Sequence, residues 1–238
     1  MNTIPTGDPL AIAVTTAIRT GDVPALLRLL DGHPGLATTM IGGARSLLHV
    51  ATDHPGHFPN CAGTIALLVE RGAHINARFS GAHTETPLHW AASCDDVEAL
   101  DALLDAGAEI EATGAVIAGG TPLTNAVAFA QWNAAHRLVE RGARTTLGDA
   151  AALGLLDRVE EYFGGEQPAE REINHAFWLA CHGGQHGTAE YLLDRGADPN
   201  WLPDWERLTS LDAARRNGFA GLVTWLRERG GRSADEGA

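Results

Sequence analysis

Apolar residues recur along the chain in short helical blocks, not as one long core segment. In residues 97–105 Leu100, Leu103 and Leu104 fall at three- and four-residue intervals, the spacing that places side chains on one helix face. A shorter block just before it, TPLHWAAS at 86–93, carries the paired small residues Ala91 and Ala92, which let adjacent helices approach closely. The combined string TPLHWAASCDDVEALDALLDAGAEIEA at 86–112 has relatives at 46–78, 121–143, 175–200 and 209–230, with fainter copies at 12–32 and 145–163. The glycines closing the clear copies, Gly72, Gly107 and Gly142, stand 35 residues apart, and Gly196 and Gly230 stand 34 apart. A fixed period of this length predicts stacked units of one supersecondary type. Each unit reads as two short antiparallel helices. Thr86-Pro87 and Thr121-Pro122 open the first helix, Thr as cap and Pro where no amide donor is lost. Gly-Ala closes the second, with Gly free to take the left-handed C-cap conformation. No such hairpin buries its apolar face alone, so the core forms by stacking.

The strings TPLHWAA, LLDAGAEIEA and LLDRGADPN closely resemble ankyrin repeats. The resemblance covers nearly the whole chain and is specific for fold. It implies an all-α array of about seven repeats, of bacterial type, with units near 10–40, 46–78, 86–112, 121–144, 145–165, 173–200 and 208–230. It also implies one array over 1–230, short β-hairpin fingers between units, and a concave groove lined by first helices and finger tips. His49 and His89 occupy the family's TPLH histidine, where the imidazole bonds backbone around the turn. Most family members are binding scaffolds, and fold alone does not fix function.

Departures from the period carry more information. Asp8 and Pro9 start the first helix without the Thr-Pro signature, and Arg215, Arg216, Arg227 and Arg229 give the last unit the polar outer face of a cap. The tail 231–238 is almost devoid of apolar residues and is expected to fray. The second repeat holds about five extra residues between its helices by comparison with the family period, in a loop running from Asp53 to Asn60. In unit five the finger is nearly absent, Arg144-Thr145-Thr146 running straight into a helix at Leu147. An insertion from Gly164 to Arg171 follows, and unit six has His175-Ala176-Phe177-Trp178 where TPLH is expected.

Charge and composition then narrow the functions. A net charge of −13 opposes binding to a phosphate ladder and suits a basic partner. No apolar run spans a bilayer and the N-terminal residues lack a basic signal region, so a soluble protein is expected. All 17 basic residues are arginine, which removes lysine-amine chemistry and the lysine of a phosphate-binding loop. Cys61, Cys94 and Cys181 are too few and too scattered for a disulfide framework and fit a reducing cytoplasm. Cys94 and Cys181, within repeat helices, read as small buried hydrophobes. Elbow, dinucleotide-loop and zincin motifs are missing, so no cofactor is implied.

Three groups of residues stand out. Asp53, His54 and His57 lie in the inserted loop, where loop structure, a binding or acid–base role, and a partial metal site are all open readings. Trp90, Asn125 and Phe129 align with the positions that face the groove, with Asp95 and His182 beside them, and Trp201, Asp204 and Trp205 sit in the finger joining units six and seven. Phe79 and His83 mark the tip of the third finger and, by analogy with the family, are exposed there. Large rigid aromatics that a repeat core does not require are enriched in recognition surfaces. Trp132, Trp178 and Trp225, by contrast, read as filling gaps between units. Two functions follow. The first is a cytoplasmic, non-enzymatic protein holding a protein or peptide partner, possibly basic, through Trp90, Phe79, His83, Asn125, Phe129, Trp201, Asp204 and Trp205. The alternative is a small-molecule binder or cofactor-independent acid–base enzyme using Asp53, His54, His57, Asp95 and His182. A closed pocket lined by those groups would favour the alternative, and an open groove the first.

Overall fold

The computed structural model describes residues 2–236. The chain forms two compact units, residues 1–143 and 144–238, dividing between the fourth and fifth repeats. The division falls within the stretch 1–230 over which one array is expected. Unit one holds four helix pairs: α1 (Pro9–Thr20) with α2 (Val23–Gly32), α3 (Leu47–Ala51) with α4 (Cys61–Glu70), α5 (Pro87–Ser93) with α6 (Val97–Asp105), and α7 (Pro122–Ala128) with α8 (Trp132–Glu140). Unit two holds three: α9 (Leu147–Ala152) with α10 (Leu156–Phe163), α11 (Glu170–His182) with α12 (His186–Leu193), and α13 (Ser210–Arg216) with α14 (Ala220–Glu228).

Stacking follows the repeat. First helices pack on first helices, α1 on α3, α3 on α5 and α5 on α7, and second helices on second helices, α2 on α4, α4 on α6 and α6 on α8. Leu100 and Leu103 are fully buried at these contacts, as are the small residues Ala91 and Ala92. The caps are those the sequence offers. Asp8 accepts from the Leu10 N–H at 2.8 Å, and Asp96 opens α6 by accepting from the Ala99 N–H at 3.0 Å.

The two TPLH-position histidines tie successive units together. Nδ1 of His49 accepts the Ser46 N–H (3.3 Å) while Nε2 donates to the Glu85 carbonyl of the next finger (3.0 Å). His89 repeats this with the Thr86 N–H (3.1 Å) and the Gly120 carbonyl (3.3 Å). Both imidazoles are buried, and burial lowers both pKa values, that of His49 to about 4. A neutral ring is what this pairing of one acceptor and one donor nitrogen needs.

Among the described residues, paired strands occur only at β1 (Thr3–Ile4), β2 (Met40–Ile41) and β3 (Arg45–Ser46), in the order β1-β2-β3, with β1 parallel and β3 antiparallel to β2. The later fingers close through backbone bonds without paired strands: Phe79 N–H donates to the Glu85 carbonyl at 2.8 Å, and in the next finger Gly114 N–H donates to Gly119 at 3.0 Å and Ala115 N–H to Gly120 at 3.1 Å. The segment 231–236, of a tail expected to fray, is bonded to α13. Ser233 Oγ and the Ala234 N–H donate to Asp212 at 2.7 and 2.8 Å, and Gly231 and Ser233 are buried. Burial pushes the Asp212 carboxyl up, but the bonds from Ala234, Ser233 and Thr209 outweigh it and hold its pKa below the ordinary value. Polar composition missed this because the anchor is a buried carboxylate, not an apolar contact. Gly237 and Ala238 of that tail lie outside the described residues.

Candidate binding groove

An open groove of about 380 Å³ lies in unit one. Trp90 comes from α5 and Phe129 from the end of α7; Thr52, Asp53 and His54 follow α3, and the remaining walls come from the fingers at 78–86 and 113–120. Phe129 and Val116 keep 44% and 54% of their surface exposed, an unusual display of apolar area on a rigid scaffold.

Glu85 organises this groove, and it was not among the residues singled out from the sequence. It is 5% exposed. Oε1 accepts from the Asn125 side-chain amide (2.7 Å) and the Val116 N–H (2.8 Å); Oε2 accepts from Trp90 Nε1 (3.0 Å) and lies 3.2 Å from His83 Nδ1. One carboxylate therefore fixes the indole, the next repeat and the next finger. Its sequence signal was an acid ending a finger, five residues before a groove tryptophan.

Phe79 and His83 do not project from the finger tip as the family analogy implied. Their rings stack at 4.5 Å and 17°, and Phe79 packs 5.5 Å from Trp90, so the finger folds inward to bury aromatic surface. Asn125 is fully buried beneath the groove, where its amide also donates to Ser93 Oγ at 3.2 Å.

The inserted loop is partly at the groove and partly a strut. Asp53 and His54 line the groove, but the Asp53 carboxylate already accepts from Arg19 (2.7 Å), Arg45 (2.9 Å) and the His54 N–H (3.1 Å). His57 turns away from it: its N–H donates to Asp96 (2.6 Å) and its Nε2 donates to the Cys94 carbonyl (3.1 Å). Asp95 caps α8, accepting from the Ala134 N–H and the Asn133 amide, each at 2.7 Å. His182 belongs to unit two, buried and stacked on Trp178 at 5.4 Å. Within residues 1–143, Asp53 and His54 line the groove while His57 and Asp95 are engaged at the caps of α6 and α8. Among the described residues no group of three or more His, Cys, Asp or Glu side chains is placed to hold a metal ion. Cys94 lines the groove, yet burial raises its thiol to about 11 and that of Cys61 to about 12, the reverse of nucleophile activation. Cys181 is fully buried and its thiol is likewise pushed up.

In unit two, Trp201 and Trp205 meet edge to face at 5.9 Å, with His175 5.1 Å and Trp178 5.7 Å from Trp205. Trp205 remains 54% exposed, and Asp204 beside it pairs with Arg171.

Comparison with known proteins agrees with the stacked helix pairs. A family model of ankyrin repeats in three copies matches residues 10–114, and a single ankyrin-repeat model matches residues 174–204. Over 51 residues the chain is 41% identical to the "Ankyrin repeat and KH domain-containing protein mask-1" of Caenorhabditis elegans. That stretch is 21% of this chain and only 2% of the nematode protein. The crystal structure of the human ASB11 ankyrin repeat domain superposes with a TM-score of 0.53 at 21% identity, covering 92% of this chain and 97% of that one, a likeness of fold. With its two-helix period, its bridging histidines and these matches, the chain belongs to the ankyrin-repeat family.

Proposed function

We propose that this protein is a non-enzymatic binding module whose unit-one groove holds a segment of a protein partner. Ankyrin repeats generally mediate protein–protein interaction. The observation that carries the reading is the open form of the groove with Phe129 and Val116 exposed in it, a surface that contact with a partner would desolvate. Trp90, Phe79, His83 and Asn125 hold its shape, and the exposed Trp205, with Trp201 and Asp204, supplies a second contact surface on unit two. The net charge of −13 favours a basic partner, and the absence of any helix, among the described residues, able to cross a membrane fits action in the cytoplasm. The acid–base alternative has weaker support, because the Asp53 and Asp95 carboxylates are committed to arginines and to a helix N-terminus.

A photo-crosslinking residue at position 129 is expected to capture a partner that the same residue at position 140, an exposed position at the end of α8, does not. Replacing Phe129 with Asp should abolish capture by a crosslinker at the neighbouring position 116. Equal capture from positions 129 and 140 would overturn the reading.

A further inference from the structure

We infer that the groove recognises a cationic side chain, an arginine or lysine of the partner segment, seated against Trp90 and Phe129 with Glu85 as its counter-charge. The inference rests on the binding reading above and adds the chemistry of the bound residue.

The argument begins with the charge of Glu85. Its close donors are an indole N–H, a side-chain amide and a backbone N–H, all neutral, and among the described residues His83 is its only titratable neighbour at ion-pair distance. Among the described residues no arginine pairs with it: Arg19 and Arg45 both bond Asp53, and Arg78 donates to the carbonyls of Thr84 and Thr113. A carboxylate solvated only by dipoles keeps its field, and a lining position at low dielectric strengthens that field.

Trp90 adds the second element. Donation of its N–H to a carboxylate raises electron density in the indole, and so the negative potential of the ring face that draws a cation. The ring is held by this bond and by edge contact with His49 at 4.9 Å, so little ordering is left to the moment of binding. Phe129 offers a second aromatic surface in the same groove, nearly half of it exposed. An anionic ligand finds no such match, since among the described residues no arginine lines the groove, whose charged lining is the Asp53 and Glu85 carboxylates.

The test is selection of a random-peptide display library on the whole protein, counter-selected on Phe129→Asp. The expected result is groove-dependent peptides enriched in arginine or lysine at one position. One such peptide, resynthesised with citrulline or norleucine at that position, should bind the whole protein at least about tenfold more weakly. Phe129→Ala, at an exposed site that leaves the fold alone, should weaken the arginine peptide and largely spare the citrulline one; Glu85→Gln should do the same where it folds. Groove-dependent peptides without a basic position, or a smaller loss on neutral substitution, overturn the cation assignment and leave the binding reading intact. Failure to select any groove-dependent peptide overturns both.

Discussion

A histidine that bonds backbone with both ring nitrogens must stay neutral to do so. His49 is in that position, and burial holds its pKa at about 4 against an ordinary 6.5. On acidification the unfolded chain therefore takes up this proton before the folded one. Stability from His49 is complete above about pH 6.5 and drains as the pH falls towards 4. At roughly 1.4 kcal/mol per unit the loss is at most about 3 kcal/mol, and His89 adds to it in the same direction. Urea midpoints measured between pH 7 and 4 should fall accordingly, and His49→Gln should lower stability at pH 7 but flatten the slope. An unchanged slope would refute the assignment. These bridges were legible in the sequence because they belong to a repeated motif. Glu85 was not, because its partners Trp90, Val116 and Asn125 come from three positions that only stacking brings together. Trp90 and Phe129 did emerge as groove residues from alignment of the repeats. The inward fold of Phe79 and His83 was hidden, since a finger's direction depends on the aromatic surface it finds to bury.

At the scale of elements the inserted loop is the departure that matters. The sequence showed extra residues with no repeat-level purpose, and structure supplies one. The loop ties the turn after α1 to the turn before α6: Asn60 donates to the Gly21 carbonyl (2.9 Å), and the His57 N–H donates to the cap residue Asp96 (2.6 Å). Gly56 makes the crossing possible. Its φ is +76°, and a Cβ there would lie 2.8 Å from Cβ of Cys94. Left-handed backbone already costs an ordinary residue about 1–2 kcal/mol. Gly56→Ala should therefore destabilise by about 2 kcal/mol or more, read from the urea midpoint. By contrast, His57→Ala, which removes one bond from a side chain 62% exposed, should cost under about 1 kcal/mol. Equal effects would mean that the loop's side chains, not its backbone path, hold it in place.

For the whole molecule the division at Ala143 and Arg144 makes a thermodynamic claim. The buried cluster around Leu147, Phe177, Trp225 and Leu226 is drawn entirely from residues of unit two. Its outer end is finished by the segment 231–236 on Asp212 and by Arg227 and Arg229, one paired with Glu236 and the other with Glu190. A repeat stack needs neighbours and a polar cap more than it needs length, because its contacts are local. Residues 144–238 alone should then fold, provided the segment after Gly230 is kept. The measurement is calorimetry on that fragment, where a single transition with an enthalpy of about 60–80 kcal/mol is expected for a body of roughly this size. Removing the residues after Gly230 strips Asp212 of its Ser233 and Ala234 donors, leaving a buried charge underbonded, and should lower the transition temperature by several degrees. A fragment that shows no cooperative transition would mean that unit two borrows stability across the boundary. The repeat period would then be right and the division into bodies wrong, a distinction the local helix pairs of either unit cannot make by themselves.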